Sequence, residues 1–377
     1  MNFQFSTAHQ ILFGEGRIKE LPDLIKSIGQ KPFFISGSNP SRYEAYTQGF
    51  DASVYSLSGE PSVTHVSEAT TQAKSTDADC VIGIGGGSPV DLAKAVAAML
   101  ANEGDLFDYL EVIGNGNPLP KPALPIIAIP TTAGTGAEVT KNAVLFSPEH
   151  QVKVSLRHPS MLPNIALIDP ELTYEVPPAV TANTGLDALT QLIEVFLTKK
   201  ASPLTDALVR QALPTGAKAL PKAFAEPRNV EARRDMAIAS LFSGLGLANA
   251  GLGAVHGYAG PLGGMIPIPH GTACAILLPH CLEHNAIAAK DSANATLLAK
   301  FEELAVMLTG KPGTAEEVVQ WAKNISADLG IGKLSDHGFQ QEHIAELVPK
   351  AQRASSMKGN PVSLSDEVLT AILQSAM

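Results

Sequence analysis

The sequence predicts two folds in series: an α/β half built on a doubly wound parallel sheet, followed by an all-helical half. Three observations predict it. Short apolar, β-rich runs alternate with helix-compatible stretches in the first half, and after Pro177-Pro178 the chain turns Ala- and Leu-rich with helical spacing. The length, 377 residues, suits two domains at about 100–200 residues each. The expected division is an α/β domain at 1–178 and a helical domain at 179–377.

The strand runs are residues 33–36, 54–57, 80–84, 126–129 and 165–168, and helical stretches at 63–74 and 89–101 separate the early ones. Runs that are apolar throughout, instead of alternating, mark a parallel sheet covered on both faces. Alternation with helices then gives a βαβ architecture. The second half reads as helices at 179–197, 203–224 and 230–250, with amphipathic pieces from 288 onward and no strand run of comparable quality. Without an internal repeat, a low-complexity tract or a long linker, the two domains are expected to pack directly and share a cleft.

Hydrophobic residues make up 45% of the chain and charged residues 17%, which excludes intrinsic disorder. The balance of 27 Lys+Arg against 37 Asp+Glu, a net charge of −10, argues against nucleic acid or an anionic membrane as partner. Cys80, Cys274 and Cys281 are odd in number and scattered, so they form no disulfide framework and fit a reducing compartment. The start, MNFQFSTAHQILFGEG, lacks the basic and continuously apolar regions of a signal peptide, and a cytoplasmic location is expected. The 47 residues from Met236 to Leu282 contain no Asp, Glu, Lys or Arg. Part of that stretch is long enough to span a bilayer, but Ser240, Ser243, Asn249 and several glycines, with no flanking basic cluster, favour a buried core helix.

Two loops carry chemistry. Val81-Ile82-Gly83-Ile84-Gly85-Gly86-Gly87-Ser88-Pro89-Val90-Asp91 reads as strand, glycine turn and helix start, where backbone N–H groups and the helix terminus favour an anion. Ser88 and Asp91 have capping-box spacing, with Pro89 at the expected first helical position. The run departs from a strict G-x-G-x-x-G, and an ordinary tight turn is its bland alternative. The second loop, from Pro130 through Thr131, Thr132, Gly134, Thr135 and Gly136 to Thr140, places hydroxyls and glycines at a strand's carboxyl end, where nucleotides bind. Taken alone, it fits a capped helix start equally.

Three of the ten histidines, His256, His270 and His280, lie in the charge-free stretch. One such histidine is commonly a hydrogen-bonded core residue. Several, with a nearby carboxylate, are better explained by a shared cation. The carboxylate candidate is Asp187, and Gln191, four residues on, projects from the same helical face. Thr184 and Asp187 also have capping-box spacing, so a simple cap is the alternative for Asp187.

In order along the chain, Phe13-Gly14-Glu15-Gly16, GGGSPVDLAK from Gly85, PTTAGTGAEVT from Pro130, Asp169-Pro170, GLDAL from Gly185 and Pro269-His270-Gly271 resemble the iron-containing, group III alcohol dehydrogenases. The resemblance implies a Rossmann-like dinucleotide-binding domain and a helical metal-binding domain, the architecture shared with dehydroquinate synthase, and a homodimer. It assigns Gly85, Gly86, Gly87 and Ser88, with Asp91 after them, to the pyrophosphate turn. Thr131, Thr132 and Thr135 line the nucleotide, and Asn142 and Lys153 match cofactor-contacting positions. The family's divalent cation, usually iron and sometimes zinc, is held by one Asp and three His, of which Asp187, His256 and His270 match three.

Two departures stand out. The family's second ligand is Gln191 here, a poorer donor than imidazole, so the metal is expected to bind weakly. The family's relay histidine, four residues after the ligand matching His256, is Gly260, with His280, His284 and Tyr258 the nearby polar candidates. In addition, Gly37 and Ser38 stand where NAD-preferring relatives carry an Asp, and Arg42 follows. Without that carboxylate nothing repels a 2′-phosphate, and NADP(H) is expected to be tolerated or preferred.

The expected reaction is metal-assisted hydride transfer between NAD(P) and a small alcohol or aldehyde. The alternatives are a reductase on this fold with little or no metal, a sugar-phosphate cyclase, and an NAD(P)-binding protein without turnover. The cyclase would need basic residues that the charge-free stretch does not supply.

Overall fold

The computed structural model describes residues 2–47, 49–50 and 52–377. It divides into a unit of Ser6–Glu175 and a unit of Val176–Met377 that also takes in the amino-terminal stretch through Phe5.

The strands of the first unit are β1 (Gln10–Phe13), β2 (Pro32–Ser36), β3 (Ser53–Ser56), β4 (Cys80–Gly85), β5 (Ile126–Pro130), β6 (Asn142–Ser147), β7 (Val152–Arg157) and β8 (Ile165–Ile168). Its helices are α1 (Leu21–Ile28), α2 (Glu44–Thr47), α3 (Val63–Lys74) and α4 (Gly87–Ala101). Six strands form one parallel sheet in the order β1-β8-β5-β4-β2-β3. β6 and β7 pair antiparallel as a separate ribbon.

The central strands β2, β4, β5 and β8 are buried along their whole length, because both faces of the sheet are covered. Phe33, Ile35, Val81 and Ile126 pack with Ala69 and Ala73 of α3 and Leu92 and Val96 of α4. The alternate residues Phe34, Ile82, Ile84, Ile127 and Ile129 pack with Leu21 and Ile25 of α1. Each fully buried Phe, Leu, Ile or Val among them contributes about 1.5–3 kcal/mol. β3 departs from the expected apolar-throughout pattern: it is the sheet's edge, and its residues alternate between half-buried and exposed. The chain runs outward from β2 to β3, returns to β4, and then proceeds to β5 on the other side. The strand order therefore reverses between β2 and β4, and crevices that bind ligands form outside strand ends at such a reversal.

The second unit is helical: α5 (Pro178–Leu197), α6 (Pro203–Ala225), α7 (Val230–Ala250), α8 (Ala254–Met265), α9 (His270–Asp291), α10 (Ala295–Thr309), α11 (Ala315–Asp328), α12 (Ile344–Arg353) and α13 (Asp366–Ser375). Every residue of α5 from Gly185 to Leu197 is buried, so this is the central helix of the unit. The long charge-free stretch is not one helix. α7 stops at Gly251, whose φ of 69° ends it, and α8 leaves at 97°. Among the described residues, no single helix is long and apolar enough to cross a membrane, and that bent pair has the length and composition only.

Candidate active site

A helix buried on all sides cannot carry an unpartnered polar group cheaply. α5 carries three at helical spacing, Asp187, Gln191 and Glu194, all buried. Asp187 lies nine residues into the helix, too deep to cap it, and the capping alternative falls away. Its Oδ1 sits 3.1 Å from His256 Nε2, on the first turn of α8, and 3.9 Å from His270 Nε2, the first residue of α9. Gly271 makes that approach possible. A Cβ there would overlap the Asn183 carbonyl, so only glycine lets α9 begin one turn before Asp187 along α5.

Cys274 completes the group: its Sγ is 3.6 Å from His256 Nε2 and 3.8 Å from His270 Nε2. The ligand atoms of Asp187, His256, His270 and Cys274 all lie within 4.8 Å of one another, a donor set that fits a divalent cation. Behind them, His256 Nδ1 donates to Glu194 Oε2 at 2.6 Å, and Glu194 Oε1 accepts the Val255 N–H at 2.7 Å. A carboxylate on the far nitrogen fixes the imidazole's tautomer and aims Nε2 at the cluster. Gln191 Nε2 donates to Asp187 Oδ2 at 3.4 Å, and its Oε1 accepts from Ser243 at 2.9 Å. Its carbonyl is thus turned to Ser243 and its amide nitrogen to Asp187.

The electrostatics follow from burial and crowding. Burial alone raises the Asp187 pKa, but the His256 hydrogen bond and the charges of His270 and His256 bring it below the usual carboxylate value. Burial lowers that of His256, and the adjacent Cys274, Asp187 and Glu194 outweigh it, leaving it well above the ordinary value. Burial pushes the Cys274 thiol up to about 12.

His280 and His284 lie ten and fourteen residues along α9 from His270, roughly 15–20 Å at 1.5 Å per residue, and do not join the cluster. Tyr258 is buried, with its hydroxyl donating to the Leu369 carbonyl. A Cβ on Gly260 would meet nothing within 4 Å, so open space stands one turn after His256.

The glycine loop and the threonine loop lie in the first unit, after β4 and β5, and the turn of Gly37 and Ser38 lies after β2. Gly85 ends β4 with φ of +154°, a conformation that favours glycine, and a Cβ on it would stand 3.4 Å from the Gly37 nitrogen. Gly37 and exposed Ser38 follow directly from β2. Thr131 N–H donates to the Gly85 carbonyl at 2.8 Å, tying the two loops together. Gly86 and Gly87 face Thr132 and Thr135: added Cβ atoms would lie 3.3 and 2.7 Å from the respective hydroxyls.

α4 starts at Gly87, two residues before the expected Pro89, with Gly86 at its cap position and no side-chain cap. The Ser88–Asp91 capping box is therefore not formed. Asp91 instead accepts the Val144 N–H at 3.0 Å and pairs with Lys94 at 2.8 Å. That helix terminus, free of a side-chain cap, is of the kind that receives phosphate. Lys94, fully buried, also donates to the Ala137 carbonyl and Thr140 hydroxyl, each at 3.0 Å, and to the Asn142 carbonyl at 2.5 Å. Lys153 Nζ is paired with Glu60 at 2.6 Å, and Arg42 with Glu175 at 3.3 Å.

Sequence reasoning missed Cys274, Glu194, Ser243 and Lys94. Two of them had a signal. His270-x3-Cys274 has one-face helical spacing, and Glu194 stands seven residues, two turns, after Asp187 on a stretch otherwise without charge.

Comparison with known proteins identifies the whole. Residues 8–170 match the family model described as iron-containing alcohol dehydrogenase, and 181–377 that of the Fe-containing alcohol dehydrogenase family, C-terminal. The 1,3-propanediol dehydrogenase of Klebsiella pneumoniae is 36% identical over 323 residues, 84% of this chain and 80% of that protein. A crystal structure of 1,3-propanediol oxidoreductase superposes with a TM-score of 0.90 at 31% identity, covering 100% of both chains. The sulfoacetaldehyde reductase of Bifidobacterium kashiwanohense, solved in complex with NAD+, gives 0.88 at 30% identity over 100% of this chain and 99% of that one. Matched in both halves and in order, the chain belongs to the iron-containing alcohol dehydrogenase family, NAD-dependent oxidoreductases in which a metal assists hydride transfer.

Proposed function

We propose that this chain interconverts a small primary alcohol and its aldehyde, with Asp187, His256 and His270 holding the divalent cation and the two strand-end loops holding the dinucleotide. The single observation that supports it best is the approach of those three side chains, from three different helices, to within 4.8 Å of one another, with the buried Glu194 carboxylate behind His256. When bound, the cation supplies Lewis-acid polarisation of the substrate oxygen. The protein's own part is orientation. Asp187 neutralises charge at the centre, and Glu194 keeps His256 Nε2 turned inward. Gly86, Gly87 and the uncapped start of α4 receive the pyrophosphate, and Thr132 and Thr135 stand opposite.

NADP(H) is the favoured nucleotide in this proposal. The turn after β2 offers no carboxylate for a ribose 2′-OH, and nothing lies within 4 Å of a Cβ on Gly37. Arg42 supports it less than its charge suggests, because it is already paired with Glu175. A homodimer in the cytoplasm completes the proposal, from the family resemblance and the cysteine usage. The test is an alcohol and aldehyde panel with both nucleotides, run with Fe²⁺, Zn²⁺ or EDTA. Turnover lost with EDTA and restored by metal supports the proposal. Turnover that EDTA leaves intact overturns its metal, and a clear NADH preference overturns its nucleotide.

A further inference from the structure

We propose that Cys274 is the fourth ligand of this centre and that Gln191 is a positioning residue for Asp187, giving a site of one oxygen, two nitrogens and one sulfur that selects zinc over iron. This rests on the cation site proposed above and goes beyond it by naming the donor set and the metal.

The geometry points there first. His270 and Cys274 are four apart on α9, so both side chains leave one helical face toward His256 and Asp187. In a tetrahedral zinc site, bonds of about 2.0–2.1 Å to nitrogen or oxygen and about 2.3 Å to sulfur set S···N edges of about 3.6 Å and N···O edges of about 3.3 Å. The observed S···N edges are 3.6 and 3.8 Å, and the N···O edges are 3.1 and 3.9 Å. Four of the six edges stand within about 0.6 Å of a tetrahedron's without Gln191, and all four donors lie within 4.8 Å of one another.

Gln191 is committed elsewhere. Its Nε2 faces Asp187 Oδ2 and its Oε1 faces the Ser243 hydroxyl. Exchanging the amide's oxygen and nitrogen would set its carbonyl oxygen against the carboxylate, so the amide donates to Oδ2 and leaves Oδ1 for the cluster. The ligand lost from the Asp187-x3 position of α5 is regained on α9.

Donor chemistry then decides the metal. Thiolate favours zinc over ferrous iron, which also stands lower in the divalent affinity order. Binding converts Cys–SH and M²⁺ into Cys–S–M⁺ and a released proton, with no change in oxidation state. With Asp187 and a Cys274 thiolate, the dication's charge is balanced to zero, whereas one Asp with three His leaves +1. The centre stays open on one side, since the His270 side chain is 34% exposed while those of Asp187 and His256 are 3% and 6%. A substrate oxygen would enter from that side as a fifth donor, since the protein supplies all four tetrahedral ones.

The experiment loads metal-stripped full-length protein with Co²⁺ and records its absorption spectrum, which shows thiolate ligation as a near-ultraviolet charge-transfer band and tetrahedral geometry as intense visible bands. Wild type is expected to show both, and Cys274→Ser to lose the near-ultraviolet band. Gln191→Ala is expected to keep the band while binding the ion about 10–100-fold more weakly. Gln191→Glu, which keeps an oxygen toward Ser243, does not restore that affinity, since it has no N–H for Asp187. Metal content after growth with equal iron and zinc should favour zinc in wild type. Co²⁺ bound by wild type without the near-ultraviolet band overturns the cysteine ligand but leaves the cation site standing. No Co²⁺ bound at all overturns the cation site, and this proposal with it.

Discussion

Replacing Glu194 by Gln changes no ligand of the cluster, yet it is predicted to weaken cation binding by about 10–100-fold, the usual effect of losing a partner behind a metal ligand. In free energy that is about 1.4–2.7 kcal/mol. The reason lies in donor counting. Both carboxylate oxygens of Glu194 accept, one from His256 Nδ1 at 2.6 Å and one from the Val255 N–H at 2.7 Å. A glutamine offers one acceptor and one donor in the same place. If its oxygen keeps Val255, its NH₂ meets the imidazole, which must move its proton to Nε2 and turn an N–H toward the cation. If its oxygen keeps His256, the Val255 N–H loses its partner, at about 1–3 kcal/mol. The assay is a Zn²⁺ titration of stripped protein against a competing chelator, with thermal melts of the stripped forms. An unchanged affinity together with an unchanged melt would refute the role given to Glu194.

Three further outcomes are expected. Gly87→Ala places a methyl 2.7 Å from the Thr135 hydroxyl; the protein folds, and the dinucleotide KM rises by about 10-fold, as for one lost hydrogen bond of about 1.4 kcal/mol. Ser38→Asp sets a carboxylate after β2, so the ratio of kcat/KM for NADH over that for NADPH should rise by at least an order of magnitude, roughly one well-placed charge interaction. Glu138, buried in the second loop, has its carboxyl pushed up to about 7 by burial against the opposing charge of Lys94. A carboxyl with a raised folded pKa holds its proton in the native state, so its stabilising effect is complete below about pH 4.5 and is lost as pH climbs to about 7, a fall of roughly 3 kcal/mol. Urea unfolding of wild type and Glu138→Gln across that range should differ by this slope and run parallel above pH 7.

Much of the fold was legible because its signals are local. Central strands such as β4 read as unbroken apolar runs, since both faces are covered, and the Ala- and Leu-rich run expected as a helix at 230–250 is α7. β1 and the β6–β7 ribbon were not read, because their half-buried residues mix polar with apolar and mimic loop sequence. The start of α4 was misplaced for a physical reason: proline and serine near a helix start look like a cap, whereas the glycines here carry the first turn themselves. At the site, Asp187, His256 and His270 stood out as polar groups in an apolar stretch. Cys274 did not, because cysteine is as common in apolar cores as alanine-sized residues and only its partners from α5 and α8 reveal it. Gln191 matches a ligand position through the family resemblance, and its place on the helix says only that it shares a face with Asp187. Which way its amide turns depends on Ser243, fifty-two residues away, and no spacing rule reaches that far.

The most direct measurement is metal stoichiometry beside turnover, in wild type and in Asp187→Asn. Wild type should carry close to one divalent ion per chain and lose aldehyde reduction in proportion as that ion is stripped, while Asp187→Asn, still folded, should hold none and reduce nothing. Full aldehyde reduction by ion-free wild type would contradict the assignment of the cluster to the chemistry.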